Sequence, residues 1–304
     1  MAKDHYVAQT YLKHWCDPKN KPPLQVYRKS DLKHFPCRPR DVCHEWDGDL
    51  IPEYLTDPGR LGKFRKIFEP RWKPTVERLC AGNIDPKDKL VLSMAWAHFF
   101  LFPPAQREIA KGMHANEVRA MARSLFEGHR LDPATLDIEI EREADFFKWF
   151  GTKHLASATW AFYNQDWIIL LNETETPFIT SDNPAAFVPN SKPPERILPI
   201  SPSLCLYTKI DLSIAETDHF DWGSPPKGSI TFRNISRPSA MKINRFTAIN
   251  ANDLVFAQSV DVGIAALVKK YRDVRPRVEP MRVALPADDG ALKGAALTIG
   301  PRTK

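Results

Sequence analysis

The chain has 304 residues, of which 43% are hydrophobic and 26% charged, a composition typical of globular proteins and unlike that of disordered chains. No apolar run approaches the roughly 20 residues that a membrane-spanning helix requires, so we expect no membrane partner. The formal net charge of +6 is a mild basic excess, compatible with nucleic acid or another anionic ligand and equally with a solvated surface.

The cysteines and the first residues bear on the location of the protein. Five cysteines is an odd number, which argues against a disulfide framework and predicts reduced thiols. The first residues, Met1 to His5, contain no apolar stretch of the kind that a secretory signal carries. We therefore expect an intracellular, cytoplasmic protein.

The first thirty residues are predicted to form a short helix and then a strand. Four apolar residues are spaced for one helical face: Val7, Tyr11, Leu12 and Trp15. Pro18 ends this helix, and Leu24–Arg28 alternates in the manner of a strand.

Residues 31–58 show no regular period, and they contain two histidines and two cysteines that would supply four zinc ligands: His34, Cys37, Cys43 and His44. Their spacing matches none of the usual zinc-finger patterns, and the adjacent pair at 43 and 44 fits poorly around one tetrahedral ion. We therefore predict no metal site here.

Residues 60–130 are predicted to be mainly helical, with a first helical period interrupted by two prolines. Asp85 and Pro86 favour a helix start, because an N-cap residue is followed by proline in the first turn. The helix from Lys87 to Leu101 is apolar nearly all round, so we expect it to be the central buried helix. His98 lies on it, where a hydrogen-bonded core histidine is the expected role.

Two further helical stretches follow, from Ala105 to Phe126 and over residues 134–163. After Asp166 the pattern changes to short strands, a polar insertion over residues 211–236, and two late helices. The predicted strands are Trp167–Leu171, Phe178–Thr180, Ile197–Ile200, Leu204–Tyr207 and Leu254–Gln258. The predicted late helices are Ser239–Ala251 and Val262–Tyr271.

These patterns predict an α+β fold, because a run of helices precedes a run of strands. A helical region, about residues 60–163, is expected to pack on a small mixed or mostly antiparallel sheet. We expect a single domain over residues 1–275. The tail over 276–304 is rich in proline, glycine and charge, which favours partial disorder.

A strand that ends in polar residues is the most informative local feature. Phe178–Thr180 is followed by Ser181, Asp182 and Asn183, and Pro184 then forces an extended conformation on Asn183. Small polar side chains at a strand end are well placed for binding. The same residues also serve as ordinary turn caps, and both interpretations are kept.

Several segments together resemble a family. They are His5-Tyr6-Val7-x-Gln9-x-Tyr11-Leu12, the Trp167–Leu171 strand, Phe178-Ile-Thr-Ser-Asp-Asn-Pro184, Leu198-Pro-Ile-Ser-Pro202 and Ile249-Asn250. In this order they resemble the bacterial family known as domain of unknown function 4238. Ala8 and Trp15 depart from the family pattern, which has proline and phenylalanine there. The resemblance implies membership and no particular chemistry, and the strong single catalytic motifs are absent from the sequence.

The resemblance brings the N-terminus and the strand end into one candidate site. A histidine, an amide and a carboxylate would suit proton transfer, so His5, Gln9 and Asp182 are the predicted catalytic residues. The predicted substrate-binding residues are Tyr6, Trp167, Ser181 and Asn183. This site requires His5 to lie within hydrogen-bonding reach of Asp182 or Asn183, or one water molecule away from them. The alternative is a structural clasp that ties the N-terminus to the sheet.

Three functions stay open, two suggested by these residues and one by the resemblance. A hydrolase of the nuclease type, acting on a phosphodiester, would use His5 as general acid or base. A binding or sensor module would use the same polar residues to recognise a small anionic ligand or a partner. A toxin or defence effector is suggested by the resemblance alone. No cofactor is indicated by any motif.

Overall fold

The computed structural model describes residues 2–50, 57–114, 144–210, 220–283 and 292–301, and its fold is α+β, as predicted. The helices in these residues are α1 (Gln9–Leu12), α2 (Arg60–Cys80), α3 (Pro86–Leu101), α4 (104–114, up to the last described residue), α5 (Ala144–Asn164), α6 (Arg237–Asn250) and α7 (Val262–Lys270). Short 3₁₀ helices cover Lys13–Trp15 and Pro39–Asp41.

The strands fall into two larger sheets and two pairs. They are β1 (Lys3–His5), β2 (Leu24–Arg28), β3 (His34–Cys37), β4 (His44–Trp46), β5 (Trp167–Leu171), β6 (Thr180–Ser181), β7 (Ala186–Val188), β8 (Glu195–Ser201), β9 (Leu204–Lys209), β10 (Ile230–Asn234), β11 (Leu254–Ala257), β12 (Val274–Val283) and β13 (Leu292–Pro301). One sheet has the order β10-β5-β9-β8-β7, and the other β3-β2-β11-β6. Only the β10–β5 contact is parallel among the described pairs.

Helix α3 is the central buried helix that its sequence predicts. The Asp85 side chain accepts from the Asp88 backbone N–H at 2.8 Å, and Asp88 accepts from the Asp85 N–H in return. This capping box starts the helix. The helix is then buried on nearly every side, because both α2 and α5 pack against it. The Trp96 ring stacks on Phe162 of α5 at 4.7 Å and contacts Trp167 of β5 at 5.6 Å.

The N-terminal segment is held at the junction of the two sheets by Tyr11, which is fully buried. The Tyr11 hydroxyl lies 2.5 Å from Thr180 Oγ1 of β6 and 2.6 Å from the Pro199 carbonyl of β8. Burying an aromatic side chain of this size stabilises a fold by roughly 2–3 kcal/mol. Tyr11 therefore ties the N-terminus, β6 and β8 together.

Three sequence predictions were wrong in detail. Helix α2 continues without a break past Pro70 and Pro74, and its inner face is held in the core by buried Phe68 and Trp72. Residues 31–58 contain β3, β4 and a 3₁₀ turn, whose pairing with β2 and β1 no local period reveals. The insertion over 211–236 supplies β10, an edge strand.

Residues 274–283 and 292–301, which overlap the tail predicted to be partly disordered, form β12 and β13, and these strands pair antiparallel over ten register positions. Buried Lys29 joins this hairpin to the domain: its Nζ donates to the carbonyls of Ala248, Ala251 and Val274 at 3.0, 2.9 and 2.6 Å. The predicted helical residues 115–126 and 134–143 lie outside the described residues. In the part of the chain that is described, no helix combines the length and apolarity needed to cross a membrane.

Candidate functional site

The N-terminal strand β1 and strand β4 place two carboxylates on the same side. Asp4 pairs directly with Glu45 in the antiparallel register, so the two side chains point to one face. Tyr6 follows two residues after Asp4, and its backbone N–H donates to the Cys43 carbonyl at 3.0 Å. Like charges opposite each other in a ladder are destabilising unless cations compensate them. Here Arg107 of α4 bonds Glu45, and Arg65 of α2 lies 3.7 Å from Asp4.

These side chains border a small open cleft, which we call the Tyr6–His98 cleft. Its empty volume is about 280 Å³, including the open mouth. Strands β1 and β4 and helices α2, α3, α4 and α5 all contribute to its wall. The lining residues are Asp4, Tyr6, Glu45, Gly48, Asp49, Leu61, His98, Phe102, Arg107 and Lys148.

Arg65 lies beside this cleft and contacts two of the carboxylates that line it, Asp4 and Asp49. Its guanidinium donates to the Asp49 carboxylate and to the His5 backbone carbonyl, and it lies 3.7 Å from both Asp4 and Glu69. Burial raises the pKa of Asp49 to about 6, with nearby Asp4 acting in the same direction and Arg65 opposing both. Burial also raises the pKa of Glu69. The carboxylates around Arg65 are therefore only partly compensated, because one guanidinium serves three of them.

His98 is the unusual residue of the cleft. Its side chain is 1% exposed, and among the described residues neither ring nitrogen makes a hydrogen bond of good geometry. The ring packs among aromatic side chains, at 5.2 Å from Phe102 and 5.8 Å from Phe68. Burial lowers its pKa to about 3; the charge of Arg65 adds to this, and the interaction of the ring with the Tyr6 backbone opposes it. A neutral imidazole offers one donor and one acceptor, and neither makes a well-formed hydrogen bond among the described residues. The sequence prediction that His98 is buried is confirmed.

His5 and Gln9 lie together, as the sequence suggested, although His5 belongs to a strand. Gln9 Nε2 is 3.4 Å from His5 Nδ1, and His5 Nε2 is 3.2 Å from the Arg40 carbonyl. The carbonyl requires a proton on Nε2, so Nδ1 accepts from Gln9. Burial lowers the pKa of His5. The ring is therefore a neutral tautomer whose two nitrogens are both engaged.

Asp182 is buried and engaged in a different way. Its Oδ1 accepts from the backbone N–H of Asn252 at 2.8 Å, and its Oδ2 accepts from those of Asp253 and Leu254 at 2.8 and 2.9 Å. Burial raises the pKa of Asp182 to about 6, against the effect of these three N–H groups. No hydrogen bond joins His5 to Asp182 or to Asn183, contrary to the geometry expected for a catalytic pair. Asp182 thus joins the end of β6 to the start of β11.

Ser181 and Asn183 belong to the same buried polar network. Ser181 Oγ donates to the Asn183 carbonyl at 3.0 Å and accepts from its backbone N–H at 3.2 Å. Asn183 donates to the Asn250 carbonyl at 2.9 Å, and its side-chain oxygen accepts from Gln106 of α4 at 2.8 Å. Every polar group of Asn183 that is named here is therefore occupied within the protein. These bonds agree with the structural, turn-cap interpretation of the strand end. We call Ser181, Asp182 and Asn183 the strand-end clasp, as distinct from the N-terminal clasp considered in the sequence.

Tyr6 is the link between the clasp and the cleft. Burial raises the pKa of its hydroxyl, with additional effects from Cys43, to which it hydrogen bonds, and from the charge of Asp182. The charge of Asp182 therefore acts on the Tyr6 hydroxyl, and the meeting of His5 with the strand end stays a prediction. Trp167 lies elsewhere, fully buried under Lys89, whose Nζ is 5.2 Å from the ring. Trp167 donates its indole N–H to the Phe162 carbonyl, so it forms no wall of the cleft.

Sequence reasoning missed most of the cleft. Asp4, Asp49, Arg65 and Arg107 carried no local signal, because an isolated charge in a helix or strand is usually a solvated surface residue. Burial of these charges depends on how β1, α2 and α4 pack together. The one available signal was a histidine in an otherwise apolar helix, and it indicated burial without indicating a cavity beside the ring.

The described residues contain no group of three or more histidine, cysteine or acidic side chains arranged to hold a metal ion. His34 bonds Gln25 at 2.9 Å and packs on the Tyr27 ring. Cys37 and Cys43 are buried, and burial raises the pKa of both thiols, so they are protonated at neutral pH.

Comparisons with known proteins place the chain in a family. Neither the curated proteins nor the solved structures gave a match to this chain. One family does match, over residues 3–261, which include β1, the Tyr6–His98 cleft, the strand-end segment and β11. The match covers well over half of the chain and agrees with the segments that carried the resemblance. The chain therefore belongs to the family described as protein of unknown function (DUF4238).

Proposed function

We propose that the protein binds a small polar molecule in the Tyr6–His98 cleft. The observation that carries this proposal is the buried His98 ring, which lines the cleft and whose two nitrogens make no well-formed hydrogen bond among the described residues. Leaving a buried polar group without a partner costs roughly 1–3 kcal/mol. A ligand that supplies an acceptor and a donor would recover this energy. The unpaired ring is therefore a binding group held ready by the surrounding aromatic side chains.

The charges of the cleft support binding of a specific molecule. Arg107 and Lys148 line it together with three carboxylates, and Tyr6 and Phe102 supply apolar surface. Binding sites combine apolar walls with a few placed polar groups in this way. The lining residues come from six elements, β1, β4, α2, α3, α4 and α5, and from the loops beside them.

Hydrolysis of a phosphodiester in nucleic acid, or of another anionic ligand, is a second candidate. The observation in its favour is that His5 and Gln9 lie in contact, next to Tyr6, which in turn feels the charge of Asp182. In this candidate His5 acts as the base after Gln9 moves away from Nδ1. It stays a prediction, and it is weakened by the three N–H groups that already occupy Asp182.

We also propose a cytoplasmic location. All five cysteines are free thiols, including Cys80, which is exposed. Exposed free thiols persist in the reducing cytoplasm and are oxidised in secretory compartments. Mass spectrometry of alkylated protein from intact cells should find Cys80 reduced, and a disulfide on Cys80 would contradict this location.

Thermal unfolding with a ligand panel tests the binding proposal. A ligand at 100 times its Kd stabilises the native state by about 2.7 kcal/mol, which raises Tm by several degrees. The panel contains amino acids, organic acids, amines, sugars and nucleotides. We expect at least one class to raise Tm of the wild type and to lose at least tenfold in affinity with His98→Phe. Phenylalanine matches the neighbouring rings and removes both nitrogens.

The matched control is His14→Phe, because His14 is a half-buried histidine that packs edge-on against Trp72 away from the cleft. Equal binding by His98→Phe and the wild type would refute the proposal, as would the absence of any shift across the panel. For the second candidate, labelled RNA and DNA are incubated with the wild type, His5→Ala and His14→Ala. Cleavage lost only in His5→Ala would support hydrolysis, and undiminished cleavage by that variant would refute it.

A further inference from the structure

Two residues that line the cleft, Arg107 and His98, carry N–H donors without a well-formed hydrogen bond among the described residues. Arg107 is 13% exposed, its guanidinium bonds Glu45, and its Nε–H is buried without a hydrogen-bond partner. The neutral His98 ring supplies a second N–H, which makes no well-formed hydrogen bond among the described residues. Two donors that line the same cleft match an oxygen acceptor on a ligand. A carboxylate fits best, because it accepts several hydrogen bonds and complements the charge of Arg107.

Among the residues that the structure describes, the same cleft contains more carboxylates than cations. Asp4, Glu45 and Asp49 line it, against Arg107 and Lys148. Arg65, beside the cleft, is shared between Asp4, Asp49 and Glu69. When Arg65 and Glu69 are included in the count, four carboxylates stand against three cations. The side chains of Asp4 and Asp49 are 17% and 15% exposed, which keeps them accessible from the cleft. A positively charged group on the ligand would restore the balance.

We infer that the ligand of the Tyr6–His98 cleft is a small zwitterion that carries an ammonium group and a carboxylate, as an α-amino acid does. The ammonium group faces Asp4 and Asp49, and the carboxylate accepts from Arg107 Nε–H and from the His98 ring. This inference rests on the binding function proposed above.

The aromatic side chains favour the same ligand. Tyr6 and Phe102 line the cleft next to the carboxylates. An ammonium group is attracted to the face of an aromatic ring, and an aliphatic side chain packs well against it. A phosphate or a phosphodiester is disfavoured, because its negative charge would meet three lining carboxylates. The carboxylates also distinguish this site from a general anion site, which would have few of them.

Isothermal titration of the full chain tests the inference with matched probes. The probes are the twenty common amino acids, together with ethylamine, propionate and inorganic phosphate. Ethylamine and propionate each keep one charged group of alanine and remove the other. We expect at least one amino acid to bind, with each single-charge probe at least tenfold weaker than alanine. The wild type is compared with Asp4→Asn, Arg107→Lys and Arg107→Met.

Asp4→Asn and both Arg107 variants should each lower amino-acid affinity at least tenfold, because each removes one of the paired charges or the Nε–H donor. The controls are Asp41→Asn and Arg71→Met, which change exposed residues outside the cleft. Unchanged Tm and circular dichroism show which variants are folded. Arg107→Lys keeps the positive charge that pairs with Glu45, so it tests the loss of the Nε–H donor separately.

The outcomes separate this inference from the function on which it rests. Binding of phosphate, propionate or ethylamine as tightly as any amino acid, with loss in His98→Phe, would overturn the zwitterion and sustain the binding function. Amino-acid binding that survives Asp4→Asn and Arg107→Met would overturn the assignment of the charged groups. Absence of binding by every amino acid would overturn the inference, and a null result for the wider panel would overturn the function as well.

Discussion

Replacing Asp182 removes the acceptor that three backbone N–H groups share. Asp182 Oδ2 accepts two of these groups and Oδ1 accepts the third, all at 2.8–2.9 Å. If the carboxylate is a clasp, Asp182→Ala leaves three N–H groups without a protein acceptor. A buried N–H without an acceptor costs about 1–3 kcal/mol. These groups are partly reachable by water, so we take the lower part of this range and expect a loss of about 4 kcal/mol for Asp182→Ala.

Asp182→Asn should cost less, for a reason that the geometry supplies. The amide oxygen can still accept from the two N–H groups of Asp253 and Leu254. The amide NH₂ then faces the N–H of Asn252, which cannot bond it. We expect a loss of about 2 kcal/mol, which corresponds to one hydrogen bond and one unfavourable donor contact. Both losses are large beside the roughly 5–15 kcal/mol that stabilises a typical domain.

Equilibrium unfolding in urea at pH 7.5 measures these losses. The pH lies above the raised pKa of about 6 of Asp182, so the wild-type carboxyl is ionised. The matched control is Asp253→Asn, whose carboxylate accepts from Ser30 at the surface, at 2.9 and 3.2 Å. The control should lose less than about 1 kcal/mol, because water replaces an exposed acceptor.

The ranking of the variants decides the interpretation. A loss for Asp182→Asn equal to that of the exposed control would refute the clasp, and so would a fully stable Asp182→Ala. If either stable variant also lost a measured activity, Asp182 would be a residue of a reactive site, as the sequence suggested. A destabilised variant that still binds its ligand would support a purely structural role.

Two further predictions concern pH and packing. Burial lowers the pKa of His98 to about 3, so below about pH 6.5 the unfolded chain takes up a proton that the folded chain does not. The wild type should therefore lose roughly 2 kcal/mol more than His98→Phe between pH 7.5 and pH 5, measured by urea unfolding at both values; parallel curves would contradict the assigned burial. Gly228→Ala should destabilise the fold by more than about 3 kcal/mol, because an added Cβ would lie 2.1 Å from the Gln165 carbonyl oxygen. The control is Gly59→Ala, whose Cβ would lie no closer than 3.7 Å to another residue and which should change stability by less than about 1 kcal/mol. Equal Cm values for the two variants would refute the close contact at Gly228.

The structure changes how the predicted polar residues are understood. The sequence predicts His5, Gln9 and Asp182 as one catalytic group, with Asn183 as a binding residue. In the structure, His5, Asp182 and Asn183 each have hydrogen-bonding groups engaged by backbone or amide partners. Polar residues that end a strand have the same appearance in a sequence whether they cap backbone N–H groups or face a substrate. The difference depends on which atoms lie opposite, and the segment after α6 supplies those atoms.

Local patterns determined most of the elements of this protein. The Asp85–Pro86 start and the apolar run behind it were enough to predict α3, because a capping box and continuous burial act within a few neighbouring residues. The strand Trp167–Leu171 was predicted at its observed limits for the same reason. Family membership also followed from short segments, since each carries its own pattern along the chain.

Only the tertiary structure decided the candidate site. Asp4, His98 and Arg107 are distant in the sequence, and they line one cleft because β1 pairs with β4 while α2, α3 and α4 pack around them. The continuity of α2 through its prolines and the edge position of β10 were decided in the same way. Burial of a charge, and the absence of a partner for a ring nitrogen, are properties of what surrounds a residue. Those surroundings are formed by contacts between segments that are distant in the sequence. Hydrophobic periodicity and capping residues report only on near neighbours, so they do not reveal these contacts.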